Sequence, residues 1–209
     1  MSAYFSRVRI RPEAGAYALR PLAAGNYGLH QLLWQLYPDD AQFLFREADR
    51  GSFVMVSSAV PDPDRPKTRL FEVESKPYQP MLRAGDTLAF DLRACAAVCR
   101  DGRRHDIVQD ARKRGDTRSR LEIAQELGGA WLARKGQAHG FDLLHATVNG
   151  YEQHQAMQQR SGREVRFSTL DFQGVLRVTD PSNMVEALTH GVGRAKAFGA
   201  GLMLVRRLQ

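Results

Sequence analysis

The stretch Asp180–Arg207, DPSNMVEALTHGVGRAKAFGAGLMLVRR, decides the fold. Asp180 is a helix N-cap, and Pro181 follows at the first helical position, where its missing N–H costs nothing. Met184, Val185 and Leu188 then face inward, and Gly191 stops the helix. A final strand runs from Leu202 to Arg206. Between helix and strand lies GVGRAKAFGAG, in which Gly191, Gly193, Gly199 and Gly201 bracket Arg194 and Lys196. Glycine is needed where a backbone takes positive φ or must come close to another group. A loop of exposed N–H groups carrying two cations can cradle phosphates. The order here is helix, glycines, strand, the reverse of a dinucleotide fingerprint or a P-loop, and the Gly-Lys-Ser/Thr ending is missing. Dinucleotide and nucleoside-triphosphate binding are therefore disfavoured.

Working back from that end, Val165–Thr179 predicts a strand with a bulge or bend near Ser168-Thr169, and Phe141–Val148 a strand before it. A helix is predicted over Thr117–Lys135, with Ala124, Leu127 and Trp131 on one face and Gly136 as its C-cap. Asp101-Gly102 marks a hairpin tip. In the first half, Tyr4–Arg11 reads as a strand. A helix starts near Asn26, carries the stripe Leu29, Leu32, Leu33 and Leu36, and is ended by Pro38. Two strands follow around the turn Asp49-Arg50-Gly51, then extended FEVESKP and a strand over Thr87–Ala94. The expectation is an α+β chain of two sequential units, residues 1–94 and 95–209, each built on strands and helices in alternation.

Composition narrows the function. The chain has 209 residues, 43% hydrophobic and 25% charged, which excludes disordered and fibrous classes. No run approaches the ~20 apolar residues of a membrane helix. The start, MSAYFSRVRIRP, has arginines where a signal peptide needs its apolar core, so a cytoplasmic protein is expected. Two cysteines, Cys95 and Cys99, are too few for a disulfide scaffold or a four-ligand metal site. The histidines lack zinc-ligand spacing, and no metal or cofactor is expected. Lys and Arg total 30 against 23 Asp and Glu, a net charge of +7 that suggests a polyanionic partner.

The charge is clustered. Arg100–Arg120 holds eight basic and four acidic residues, with Arg103, Arg104, Arg112, Lys113 and Arg118 as candidate phosphate contacts. Arg194 and Lys196 form a second cluster. Arg7, Arg9 and Arg11 on one face of the first strand form a third, repulsive unless solvated or facing an anion. His30 and Tyr27, three apart in the first turn of the Asn26 helix, share one face. The partial positive charge of a helix start favours a bound phosphate and a neutral imidazole. Histidine, with an ordinary pKa near 6.5, suits proton transfer about neutrality.

Asn-Tyr-x-x-His at the first helix, Phe90-Asp91-Leu92-Arg93-Ala94 at mid-chain, and the terminal Gly-φ-Gly-x5-Gly-x-Gly-φ together resemble the CRISPR repeat-processing endoribonucleases of subtype I-E, the CasE family. The glycine loop alone marks the broader repeat-associated superfamily, and the Tyr-x-x-His placement narrows it. The chain departs from the family at Cys95-Ala96, where members often carry Asn-Pro, and at Gln35, where some carry a basic residue. The resemblance implies tandem ferredoxin-like βαββαβ domains with antiparallel sheets. It implies metal-independent cleavage of the repeat stem-loop in precursor CRISPR RNA, with the enzyme staying on the mature guide RNA among Cascade subunits. His30 would be general acid or base, Tyr27 its partner, and Lys196, with Arg194, would steady the phosphate. The main rival is a non-catalytic RNA-binding subunit of the same superfamily, which would bind RNA and leave it intact.

Overall fold

The structure is a computed structural model that describes residues 2–14, 25–65, 69–158 and 163–208. Among the described residues, ten strands and four α-helices follow one another: β1 (Tyr4–Ile10), α1 (Gly25–Trp34), β2 (Phe43–Asp49), β3 (Ser52–Ser57), β4 (Phe71–Pro77), β5 (Thr87–Ala94), β6 (Ala97–Arg100), β7 (Arg103–Asp106), α2 (Ile107–Lys113), α3 (Arg120–His139), β8 (Phe141–Gln158), β9 (Arg163–Val178), α4 (Pro181–His190) and β10 (Met203–Arg207). Two antiparallel four-stranded sheets result, β2–β3–β1–β4 and β10–β5–β9–β8, and β6–β7 stands apart as a hairpin.

Counted within each unit, both sheets have the order 4-1-3-2 of a ferredoxin-like fold. The second is a complete βαββαβ, from β5 through α3, β8, β9 and α4 to β10, with hairpin and α2 inserted after its first strand. The first has one helix among the described residues.

Thr87–Ala94, expected to end the first unit, belongs to the second. It pairs with β9 from Thr87↔Arg177 to Ala94↔Leu170, and with β10 from Met203↔Leu92 to Arg207↔Leu88. A strand's own alternation states that it has two faces, not which neighbours it takes, so this pairing lies outside local reading. By sheet membership the change of unit falls between Pro77 and Thr87.

The helix ends follow from their caps. Ser119 and Glu122 form a reciprocal capping box at the start of α3, with N···O distances of 3.2 and 2.9 Å. Asp180 accepts from the amides of Ser182 and Asn183 at 2.9 and 3.1 Å, with Pro181 at the first helical position. The predicted cap Gly136 is instead inside α3, which runs on to His139 and is capped by Gly140 in the left-handed conformation. Gly136 is there for proximity, since a Cβ would lie 2.4 Å from the Phe141 carbonyl. Strand β8 extends well past the predicted Val148, to Gln158. No bulge interrupts Ser168-Thr169, which pair regularly with Gln153 and Glu152; the register shifts of this pair lie on β8, between Leu143 and His145 and between Val148 and Gly150.

Each unit has its own core. Leu29, Leu32 and Leu33 of α1, and Leu36 in the turn that follows because the helix ends at Trp34, pack with Phe45, Phe53 and Met55, while Ile123, Ala124, Trp131 and Leu132 of α3 pack with Phe172 and Leu176. A third cluster joins the units: Leu44 and Val56 from the first meet Leu202 from the second, flanked by Phe5, Val54, Tyr78 and Leu204. Each of those fully buried aliphatic side chains contributes about 1.5–3 kcal/mol. Arg46 of β2 adds an ion pair to Asp91 of β5 across the same seam.

Candidate active site and nucleic-acid interface

Helix α1 places His30 in an aromatic pocket. Its imidazole is stacked on Phe43 at 5.1 Å between centroids and 20° between planes, with Trp34 at 5.5 Å and Phe45 at 6.1 Å. The ring is half-buried, and removal from water pushes its pKa below the ordinary 6.5, so the neutral form prevails at pH 7. A neutral imidazole beside an aromatic wall can accept a proton from a hydroxyl. Tyr27 lies on the same helix by its backbone, and its side chain lies outside the described residues.

The glycine-rich loop closes on this pocket. Lys196–Phe198 forms a 3-10 turn that packs against α1, and Gly199 would place a Cβ 3.3 Å from the ring of Phe45, one of the rings around His30. The elements bearing His30 and Lys196 therefore meet at the seam between the units. The charge of Lys196 also registers at His139, at the end of α3. That imidazole is held below its usual pKa by burial first, then by Lys135 and Lys196.

The four glycines all have positive φ, from +79° to +94°, but three of them do not offer their amides to a phosphate. Gly191, Gly199 and Gly201 donate to the carbonyls of Ala187, Lys196 and Arg93 at 2.8, 3.1 and 2.7 Å, and all three are buried. A Cβ on Gly191 would lie 2.9 Å from Leu44 of the first unit, and one on Gly193 would lie 3.3 Å from Trp131. These glycines seat the loop closely between two packed surfaces. The groups left for an anion are the side chains of the exposed Arg194 and the half-buried Lys196.

The hairpin forms as its sequence requires. Arg100 pairs with Arg103 around Asp101 and Gly102, whose φ values of 50° and 71° are those of a tight two-residue turn. Arg103 and Arg104 are exposed on it. Its base is tied down by Asp106, the N-cap of α2, which accepts from the Gln109 amide at 2.6 Å and from the hydroxyls of Tyr151 (3.3 Å) and Ser168. Sequence reasoning missed this anchor, because its three partners are scattered along the chain. Arg112 and Lys113 are exposed at the end of α2.

Two of the arginine groups are already engaged. Arg118 bridges Asp116, at 2.7 Å, and Glu126. Arg9 and Arg11 each lie 4.0 Å from a glutamate of β4, Glu74 and Glu72. Arg9 and Arg11 of the third basic cluster thus face carboxylates within their own sheet. Cys95 is half-buried, with its thiol pKa raised chiefly by burial, and Cys99 is exposed. Among the described residues no three His, Cys, Asp or Glu side chains are grouped as a metal site would require, and no helix is long and apolar enough to cross a membrane.

Comparison with known proteins agrees with this architecture. The family model described as CRISPR associated protein matches residues 3–207. The chain is 30% identical to the CRISPR system Cascade subunit CasE of Escherichia coli strain K12 over 192 residues, 85% of this chain and 89% of that one. A structure of CRISPR endoribonuclease Cse3 bound to a 19-nucleotide RNA superimposes with a TM-score of 0.76 at 24% identity, covering 99% of this chain and 100% of the other. The crystal structure of Cas6e from Escherichia coli K-12 gives 0.62 at 25% identity, covering 98% and 100%. Matched from residue 3 to residue 207, with both sheets in common order, the chain belongs to the CRISPR-associated CasE/Cse3 family.

Proposed function

We propose that the chain is an endoribonuclease that cuts the repeat stem-loop of precursor CRISPR RNA without a metal and stays on the mature guide RNA within Cascade. The observation that carries this reading is the contact of helix α1, whose His30 sits in an aromatic pocket and is held neutral by it, with the loop that bears Lys196 at the seam of the two units. The relatives' names, a Cascade subunit and a CRISPR endoribonuclease bound to RNA, support the substrate class.

The chemistry uses groups this chain supplies. His30 takes the proton of a ribose 2′-hydroxyl, and the 2′-oxygen attacks the adjacent phosphorus. The bond from phosphorus to the 5′-oxygen breaks, that oxygen takes up a proton from water, and the other product ends in a 2′,3′-cyclic phosphate. Lys196, with Arg194, stabilises the charge that grows on the phosphoryl oxygens. Tyr27 partners His30. Arg103, Arg104, Arg112 and Lys113 grip the stem by its phosphates, since an A-form helix is recognised mostly by shape and backbone. Arg118, paired to Asp116 and Glu126, joins that grip by exchanging a carboxylate for a phosphate. Gly191, Gly193, Gly199 and Gly201 serve the RNA indirectly, by holding Arg194 and Lys196 in place.

The test is incubation of the purified protein with an end-labelled repeat hairpin in excess EDTA. One cut with a 2′,3′-cyclic phosphate end is expected. Cleavage lost with the chelator would overturn metal independence, and tight binding with intact RNA would assign a non-catalytic subunit.

A further inference from the structure

A cleft of about 320 Å³ opens between the β6–β7 hairpin and the glycine-rich loop. Arg104 and His105 line it from the hairpin, Arg194 and Phe198 from the loop, and Arg166 and Phe167 from β9. Three guanidinium groups from three separate segments therefore border one small space. Its aromatic side is built as a stack: His154 lies on Phe167 at 4.9 Å and 23°, and Phe167 packs on Phe198 at 4.7 Å. Asp106 also lines the cleft, but its carboxylate is taken up by Gln109, Tyr151 and Ser168. The lining is thus cationic and aromatic.

Size and chemistry select the occupant. The volume lies at the low end of ligand pockets, roughly 300–1,000 Å³, too small for a double helix and enough for a single nucleotide. Proteins that hold single-stranded RNA combine these two elements, aromatic or guanidinium planes for the base and arginines for the backbone. Position adds the third argument. The cleft lies between the hairpin that grips the stem and the loop that meets the scissile phosphate, where a strand leaving the foot of the stem must pass.

We propose that this cleft takes one unpaired nucleotide at the foot of the stem, its base against the Phe167–Phe198 wall and its phosphate among Arg104, Arg166 and Arg194. The inference rests on the RNA-processing function above and adds a subsite to it. The subsite makes affinity depend on the presence of one unpaired base beside the stem, which grip on an A-form backbone alone would not.

The test compares a fluorescein-labelled repeat stem-loop, with 2′-deoxyribose at the scissile position so that it is bound but not cut, with and without its single-stranded flanks, then walks an abasic nucleotide through those flanks. The flanked RNA is expected to bind about tenfold more tightly, with the gain lost at one abasic position. The variant Ala97→Trp, which fills the cleft from β6, is expected to lose that gain and keep its affinity for the bare stem-loop. Equal affinities with and without flanks would overturn the subsite, as would a loss spread evenly over all positions. The abasic walk uses the unaltered protein, so it decides the matter whether or not Ala97→Trp folds. A bare stem-loop that fails to bind at all would instead overturn the RNA-processing function.

Discussion

The sheets β2–β3–β1–β4 and β10–β5–β9–β8 share a strand order, yet their connections carry different things. In the first unit the connection from β1 to β2 holds α1, with His30 set among Trp34, Phe43 and Phe45. In the second, the link from β5 to α3 is expanded by the arginine hairpin and α2, and the link from α4 to β10 by the glycine-rich loop. In the proposed reaction one unit supplies the proton-transfer group and the other supplies the cations. The seam of Leu44, Val56 and Leu202, with Arg46 paired to Asp91, sets the distance between them.

The sharpest way to break that comparison is to remove the imidazole. His30→Ala should lower single-turnover cleavage of a repeat hairpin by at least 10²–10⁴-fold. Affinity for the same hairpin should change little, because the gripping arginines belong to the other unit. Comparable losses in rate and in affinity would show that the division of roles is wrong.

The next largest effect concerns the seam. Gly191 has φ 81° and ψ 157°, a region almost closed to other residues, and its Cβ would meet Leu44 at 2.9 Å. Gly191→Ala should cost about 2–4 kcal/mol in urea unfolding, combining backbone strain with overpacking. Gly102→Ala, at φ +71° with nothing within 4 Å, should cost only about 1–2 kcal/mol. Equal costs would mean that the loop does not seat against the first unit as described.

These glycines also show where sequence reasoning stops. Their positive φ was legible, because glycine at such spacing has few other uses. Whether the amides face a ligand or a carbonyl is decided by partners up to about a hundred residues away, such as Arg93 beneath Gly201. The same limit applied to Thr87–Ala94, whose alternation holds in either sheet. Among signals within a few residues, the Asp101-Gly102 turn and the Asp180-Pro181 cap hold, whereas the Gly136 cap gives way to Gly140 because α3 runs one turn further. Glu72 and Glu74 sit in FEVESKP, plainly visible, but only the β1–β4 register, which sets Glu72 opposite Arg9 and Glu74 opposite Arg7, brings them diagonally within reach of Arg11 and Arg9.

That register supplies a contrast between two arginine pairs of similar composition. Arg103→Ala with Arg104→Ala should reduce the slope of log affinity against log salt by about one unit per residue removed. Arg9→Ala with Arg11→Ala should leave the slope unchanged, since these side chains face Glu74 and Glu72. A slope altered by the β1 pair would restore that strand face to the RNA interface.

The smallest effect distinguishes the units by proton uptake. His30 in the first unit, and His139 and His154 in the second, all have pKa values lowered chiefly by burial. At His154 the carboxylate of Glu152 opposes that shift, and at His139 Glu186 does so. In the unfolded chain each imidazole takes up its proton near pH 6.5, while in the folded chain uptake waits for a lower pH. Between those values the unfolded state binds more protons, so stability must fall as pH drops below about 6.5. Urea midpoints measured from pH 7.5 to 5.5, above the range where carboxylates titrate, should therefore decline. If His30 works as the base, the acidic limb of kcat/KM should inflect below 6.5 as well. Opening its pocket with Phe43→Gln should move the inflection up toward 6.5, while the NMR titrations of His139 and His154 stay in place. A common shift of all three would mean that the imidazoles respond to the chain's overall charge rather than to their separate pockets.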